Sequence, residues 1–228
     1  MNDSIAKKLT ENTKNFVIIG EAGSGKTEVS LNLALAMHRA GGKQVHFFDM
    51  DQTKPIFRAR DSSSFVTLGG VVFHCQEQLM DAPIVAAGVI ERLRDPDSIV
   101  LLDIGGGAYG SHMIGQFAGY LNDPATKVVY LINPYRPWSG SREDIEETIS
   151  RTAGAAHLEK ISVAANPNYG PDTTPEDVLN GIDRLRGMLP ETELEFVCAM
   201  DGIADAVAQK CSLPVFTIEL NTVPEWLR

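Results

Sequence analysis

Residues 20–27 read GEAGSGKT: Gly20, Glu21, Ala22, Gly23, Ser24, Gly25, Lys26 and Thr27. The spacing is G-x-x-x-x-G-K-[ST], the pattern of a loop that cradles phosphate. Glycines let successive backbone N–H groups turn inward and form an anion-binding nest. A helix starting at the loop adds its positive dipole end. Lys26 is placed to reach the terminal phosphates, and the Thr27 hydroxyl to sit on Mg²⁺. The flanks agree. Asn15–Gly20 (NFVIIG) is a short apolar, β-branched run suited to a buried strand. Leu31, Ala34 and Leu35 recur at helical spacing, and Gly41-Gly42 closes the segment as a C′ glycine does. Strand, phosphate loop and helix follow in the order that nucleotide binding requires.

Outward from the loop, strand and helix patterns alternate. Gln44–Asp49 (QVHFFD) reads as a second strand, and Phe65–Phe73 can hold a third. Ile84–Leu93 has helical spacing. Ser98–Asp103 (SIVLLD), Lys127–Ile132 (KVVYLI) and Lys160–Ala165 are apolar strand runs, and Glu193–Cys198 and Pro214–Ile218 are two shorter ones. Ser141-x-x-Asp144 is a capping box that opens a helix running through Thr152. Thr174-Pro175-Glu176-Asp177 is a second, with proline at the first helical position. The helix behind it carries Val178, Ile182, Leu185 and Leu189 on one stripe. This alternation predicts an α/β fold of three layers, doubly wound, with a mostly parallel sheet of about seven or eight strands. It predicts one nucleotide-binding domain over residues 1–228.

In such sheets ligands bind beyond the carboxyl ends of the strands. The second strand ends in Asp49-Met50-Asp51, and SIVLLD ends in Asp103, followed by Ile104 and Gly105-Gly106-Gly107. A strand-end carboxylate beside a phosphate loop can hold Mg²⁺ through its water shell, because Mg²⁺ gives up water reluctantly. This makes Thr27, Asp49 and Asp103 the candidate metal residues. Asp51 is placed to orient an attacking water. The glycine run lets a backbone N–H approach the γ-phosphate, with Gly106 as the contact, and lets the segment move when that phosphate leaves. Further on, ISVAANPN puts Asn166 just past a strand. A side-chain amide there can pair with both edges of adenine. No [NT]-K-x-D, whose aspartate selects guanine, occurs in the chain. The residues favour ATP with Mg²⁺.

Composition sets the outer bounds. Of 228 residues, 43% are hydrophobic and 22% charged, as in ordinary globular proteins. The net charge is −10 and the pI near 4.9, so the surface repels nucleic-acid phosphates. No apolar run is long enough to span a bilayer, the N-terminus MNDSIAKKLTENTK has no apolar signal core, and NTVPEWLR is not a basic membrane-surface helix. The expectation is a cytoplasmic protein that binds neither nucleic acid nor membrane. Cys75, Cys198 and Cys211 are far apart with no C-x-x-C pair, which suggests reduced thiols rather than disulfides or a zinc site.

The order GEAGSGKT, LNLALAMHRAGGKQVHFFDMDQTKP, IVLLDIGGG, LINP and VAANPN resembles the MinD/ParA/nitrogenase-iron-protein class of P-loop ATPases, to about residue 170. The resemblance implies phosphate and Mg²⁺ contacts at Lys26 and Thr27, switch aspartates at Asp49 and Asp51, a second switch at Asp103 and Gly106, and an adenine contact at Asn166. It also implies a homodimer that sandwiches two nucleotides. The chain departs from the class at Glu21. The class carries a lysine there that reaches the partner's phosphates, and a carboxylate near those phosphates repels. Lys54 or Arg58 could supply a cation instead. The class's interfacial metal cysteines and MinD's basic membrane helix are missing too. Three functions compete: an ATP-driven switch acting on a protein client, a small-molecule kinase or ATP-dependent ligase with Arg58 and Arg60 on an acceptor lid, and a nucleotide-binding regulator without turnover. The loop aromatics Tyr135, Trp138 and Tyr169, flanked by arginine, suit an interface with a client.

Overall fold

The central strands are apolar on both faces because both faces are covered. A computed structural model describes residues 2–51, 69–74 and 88–221. In β1 (Asn15–Ile19) every residue is buried. Phe16 and Ile18 pack on one side against α1 (Asn2–Thr10) and α2 (Lys26–Ala40). Val17 and Ile19 join the opposite core, which holds side chains of α3 (Val89–Arg94), α6 (Arg142–Ala155), α7 (Pro175–Met188) and α8 (Asp201–Ala208). Two helix layers therefore enclose one sheet, as the alternating pattern predicts.

The remaining strands are β2 (Gln44–Met50), β3 (Val72–His74), β4 (Ser98–Ile104), β5 (Thr126–Ile132), β6 (Ser162–Ala165), β7 (Leu194–Met200) and β8 (Val215–Ile218). They form a sheet of order β3-β2-β4-β1-β5-β6-β7-β8, with every pairing parallel. This is the doubly wound P-loop NTPase fold expected from the sequence. From β1 the chain winds out to β2 and β3, returns through β4, and crosses β1 to β5 and beyond. The strand order thus reverses around β1, and a crevice opens at that strand's carboxyl end. Short helices α4 (Gly107–His112) and α5 (Ala118–Leu121) fill the β4–β5 crossover.

Most expected strands end within two residues of the observed ones. Both capping boxes form. Ser141 Oγ accepts from Asp144 N–H and Thr174 Oγ1 from Asp177 N–H, with each aspartate reaching back to the cap. The third expected strand lies in part outside the described residues, and β3 begins only at Val72. The helix expected from Ile84 is described from Val89, behind Gly88 at its N-cap; residues 84–87 lie outside the described residues. Helix α1 was not read from the sequence. Its Asn2 side chain donates to Thr217 O (2.7 Å) and accepts from Thr217 N–H (2.8 Å), so one amide satisfies a backbone position on the edge strand β8. Cys198 is a buried free thiol, raised in pKa by burial, and Cys211 is free and half-buried. Cys75 lies outside the described residues. Among the described residues no helix is long and apolar enough to cross a membrane.

Candidate nucleotide site

The loop of residues 20–25 leaves β1 at the centre of the sheet and runs into α2. Gly25 sits at the N-cap in the left-handed region (φ 91°), where a side chain is strained. Gly20 has φ 145°, and a Cβ there would meet Leu131 O of β5 at 2.6 Å. Gly20→Ala therefore combines backbone strain with overpacking against a central strand. We expect a loss of about 2–4 kcal/mol in urea unfolding, and a loss below about 0.5 kcal/mol would contradict this geometry. Lys26 is 1% exposed, and its Nζ donates to Glu21 O at 3.0 Å, so the lysine folds back over its own loop. Thr27 is buried at the second position of α2. Ala22 and Gly23 form the exposed crest of the loop, with Ser24 buried beneath.

The strand-end carboxylates gather on the β2–β4 side. Asp49 and Asp103 stand at directly paired positions of β2 and β4. Ser30, one turn into α2, donates its hydroxyl to Asp103 Oδ1 at 3.2 Å. Asp49 Oδ1 accepts from Asp51 N–H at 3.0 Å, which fixes the turn after β2. Asp51 borders the glycine run, with its Oδ1 3.2 Å from where a Gly105 Cβ would lie. All three aspartates are buried. Among the described residues no group of three or more His, Cys, Asp or Glu could hold a metal by itself. Hard oxygen donors in an incomplete set, a threonine hydroxyl and strand-end carboxylates, fit Mg²⁺ completed by water and phosphate rather than a closed protein cage.

The glycine run is docked on the phosphate loop. Gly107 N–H donates to Gly20 O at 3.0 Å, and a Cβ on Gly106 would lie 3.0 Å from Ala22 N. Backbone therefore meets backbone at the place where a γ-phosphate contact was expected.

Glu21 turns away from the nest. Its carboxylate pairs with Arg151 of α6 (3.0 Å) and lies 2.9 Å from where a Gly107 Cβ would be. Beneath it the Tyr130 hydroxyl is buried beside Thr148 and Thr152. Burial chiefly, with the Glu21 carboxylate adding, pushes the phenol up to about 12. Glu21 thus ties the phosphate loop to α6 over the start of α4. No sequence signal marks a partner 130 residues away.

The other side of the loop is a cavity of about 180 Å³ walled by the carboxyl ends of β5, β6 and β8 and by the first turn of α2. Asn166 lies on it, but its Nδ2 donates to Ser24 O at 2.8 Å, so the amide donor braces the phosphate loop. Asn133, which the sequence reading left unassigned, donates to Asn168 O (2.7 Å) and accepts from Tyr135 N–H (3.1 Å), knitting the loops after β5 and β6 together. Glu28 of α2 accepts from Asn221 N–H, closing the wall on the β8 side. Tyr135 and Tyr169 stack at 4.0 Å, with Tyr169 59% exposed. Lys54, Arg58 and Arg60 lie outside the described residues.

No family model matches the sequence, and no curated protein does. Solved structures match its fold. The chain is similar to the cell division protein FtsY of Thermotoga maritima (14% identity, TM-score 0.51), covering 86% of this chain and 68% of that one. It is similar to the 54 kDa signal recognition particle protein of Aeropyrum pernix K1 in complex with GDP (16%, 0.52; 86% and 46%). It is similar as well to FlhF complexed with GTP and Mg²⁺ (14%, 0.51; 85% and 69%). At this identity the likeness is one of fold. The chain spans less than half the length of the signal recognition particle protein.

Proposed function

We propose that the chain is a Mg²⁺-dependent ATP-binding protein with slow hydrolysis, a nucleotide-driven switch for a protein client. The observation that carries the reading is one arrangement: the glycine loop with its buried lysine, flanked by aligned Asp49 and Asp103 at the ends of β2 and β4. Backbone N–H groups and Lys26 suit the phosphates. Thr27, Asp49 and Asp103 suit Mg²⁺, which would neutralise charge on the β- and γ-oxygens when bound. Asp51, beside Gly105, would orient the attacking water. The contact of Gly107 with Gly20 joins the glycine run to the phosphate loop, so a nucleotide that reorders the loop would move the run with it. The exposed aromatics Tyr169 (59%) and Tyr109 (78%, on α4 next to the glycine run) offer a client a surface whose position depends on the nucleotide. A homodimer remains part of the proposal and is tested through Glu21 below.

A second reading takes GTP. The fold-matched structures include complexes with GDP and with GTP and Mg²⁺, and in this chain the Asn166 amide donor is engaged by the loop. Against it, the residue three places after Asn166 is Tyr169, so the guanine-reading carboxylate of [NT]-K-x-D is missing. Competition calorimetry with ATP, GTP, ADP and GDP in Mg²⁺ decides. We expect ATP to bind more tightly than GTP, and equal or tighter GTP binding would move the assignment to guanine. A phosphate-release assay with and without small-molecule acceptors separates the switch from a kinase.

A further inference from the structure

We propose that Arg136 caps the nucleoside half of the site, its guanidinium lying over the base and ribose of the bound nucleotide rather than serving the phosphates or the metal. The inference rests on the nucleotide reading above and adds a residue to it. The sheet order divides the site in two. Strands β2 and β4, on one side of β1, carry Asp49, Asp51 and Asp103. Strands β5, β6 and β8, on the other side, wall the cavity of about 180 Å³. With phosphates over the β1 loop and Mg²⁺ against the carboxylates, the nucleoside can extend only toward β5 and β6.

Arg136 stands at that junction. It belongs to the loop after β5 and lines the cavity together with Gly25, Asn166 and Asn168. Its Nε donates to Gly23 O at 3.2 Å. Carbonyl oxygens of a phosphate nest point away from the anion, so this bond places the guanidinium on the outer, nucleoside side of the loop. The side chain also lies 3.5 Å from where a Gly23 Cβ would be, with Trp138 at 3.9 Å, so both pack against the crest of the loop at van der Waals distance.

The loop that presents Arg136 is braced at several points. Arg136 N–H donates to Asn133 O (3.2 Å), Ser139 N–H to Arg136 O (3.0 Å), and Arg184 to Ser139 O (3.4 Å). The charge itself is uncommitted: among the described residues no carboxylate pairs with Arg136. A planar, weakly hydrated cation held by one nitrogen at the wall of a cavity suits stacking on a heteroaromatic ring. Such stacking works on any purine, because it reads the ring face and not its edge.

The test is isothermal calorimetry on Arg136→Ala and Arg136→Gln with three probes: ADP, ATP and inorganic tripolyphosphate. The glutamine variant keeps a donor for Gly23 O and removes the cation, so it remains informative if alanine loosens the loop. We expect both variants to bind ADP and ATP about tenfold more weakly while tripolyphosphate affinity changes less than twofold. An equal loss for nucleotide and tripolyphosphate would assign Arg136 to the phosphates and overturn the cap. Unchanged nucleotide affinity in both variants would overturn it as well. If the parent protein binds tripolyphosphate but no nucleotide, it is the nucleotide reading that falls, a result distinct from either.

Discussion

Lys26→Ala weakens ATP and ADP binding by at least about thirtyfold. The lysine is the one cation inside the loop, almost fully buried, with its ammonium on Glu21 O. In a desolvated nest a charge-assisted bond to phosphate is worth far more than at a surface, and removing one partner of such a pair costs roughly 2–5 kcal/mol. Alanine also leaves Glu21 O without that donor, so the apo protein loses a little stability, on the order of 1 kcal/mol. The two effects separate experimentally. Calorimetry reads the affinity, and the thermal midpoint without nucleotide reads the fold. A Lys26→Ala variant that folds and binds ATP as the parent does would refute the phosphate assignment of residues 20–27.

Much of this site is legible in the sequence because its residues are local. The phosphate loop, the helix behind it and the aspartates at two strand ends are each fixed by a short pattern, and the parallel sheet brings them together without further instruction. Asp49 and Asp103 align because β2 and β4 are neighbours in register, which the alternation of elements implies but does not state. What the sequence withheld is long-range side-chain commitment. Asn166 is expected from the sequence to contact the base, yet its donor goes to Ser24 O. Asn133 and Arg136 carry no motif, since their value comes from the loop after β5 lying beside the phosphate loop. Helix α1 escaped notice because it carries only one fully buried residue, Ala6.

Glu21 is the other long-range commitment, and its replacement tests the mode of assembly. In the parent the carboxylate is bound in cis to Arg151 and lies over Gly107. The loop thus holds no cation for a partner's nucleotide, and turnover should be slow. Glu21→Lys changes this in two steps. Opposite Arg151 the new ammonium meets a like charge, which drives it off α6 and out of the loop. There it can reach the phosphates of a second copy, and a cation delivered in trans raises phosphoryl transfer by roughly 10³–10⁵-fold. We expect Glu21→Lys to raise ATP hydrolysis at least about a hundredfold, with a rate per molecule that grows with protein concentration and an ATP-dependent dimer in sedimentation. Glu21→Gln is the control. It breaks the Arg151 pair without supplying a cation, so any gain it shares with lysine comes from releasing the glycine run at Gly107. A rate that rises equally in both variants, independent of concentration, would make Glu21 a latch on the switch segment. It would remove the face-to-face dimer from the proposal and leave the nucleotide site standing.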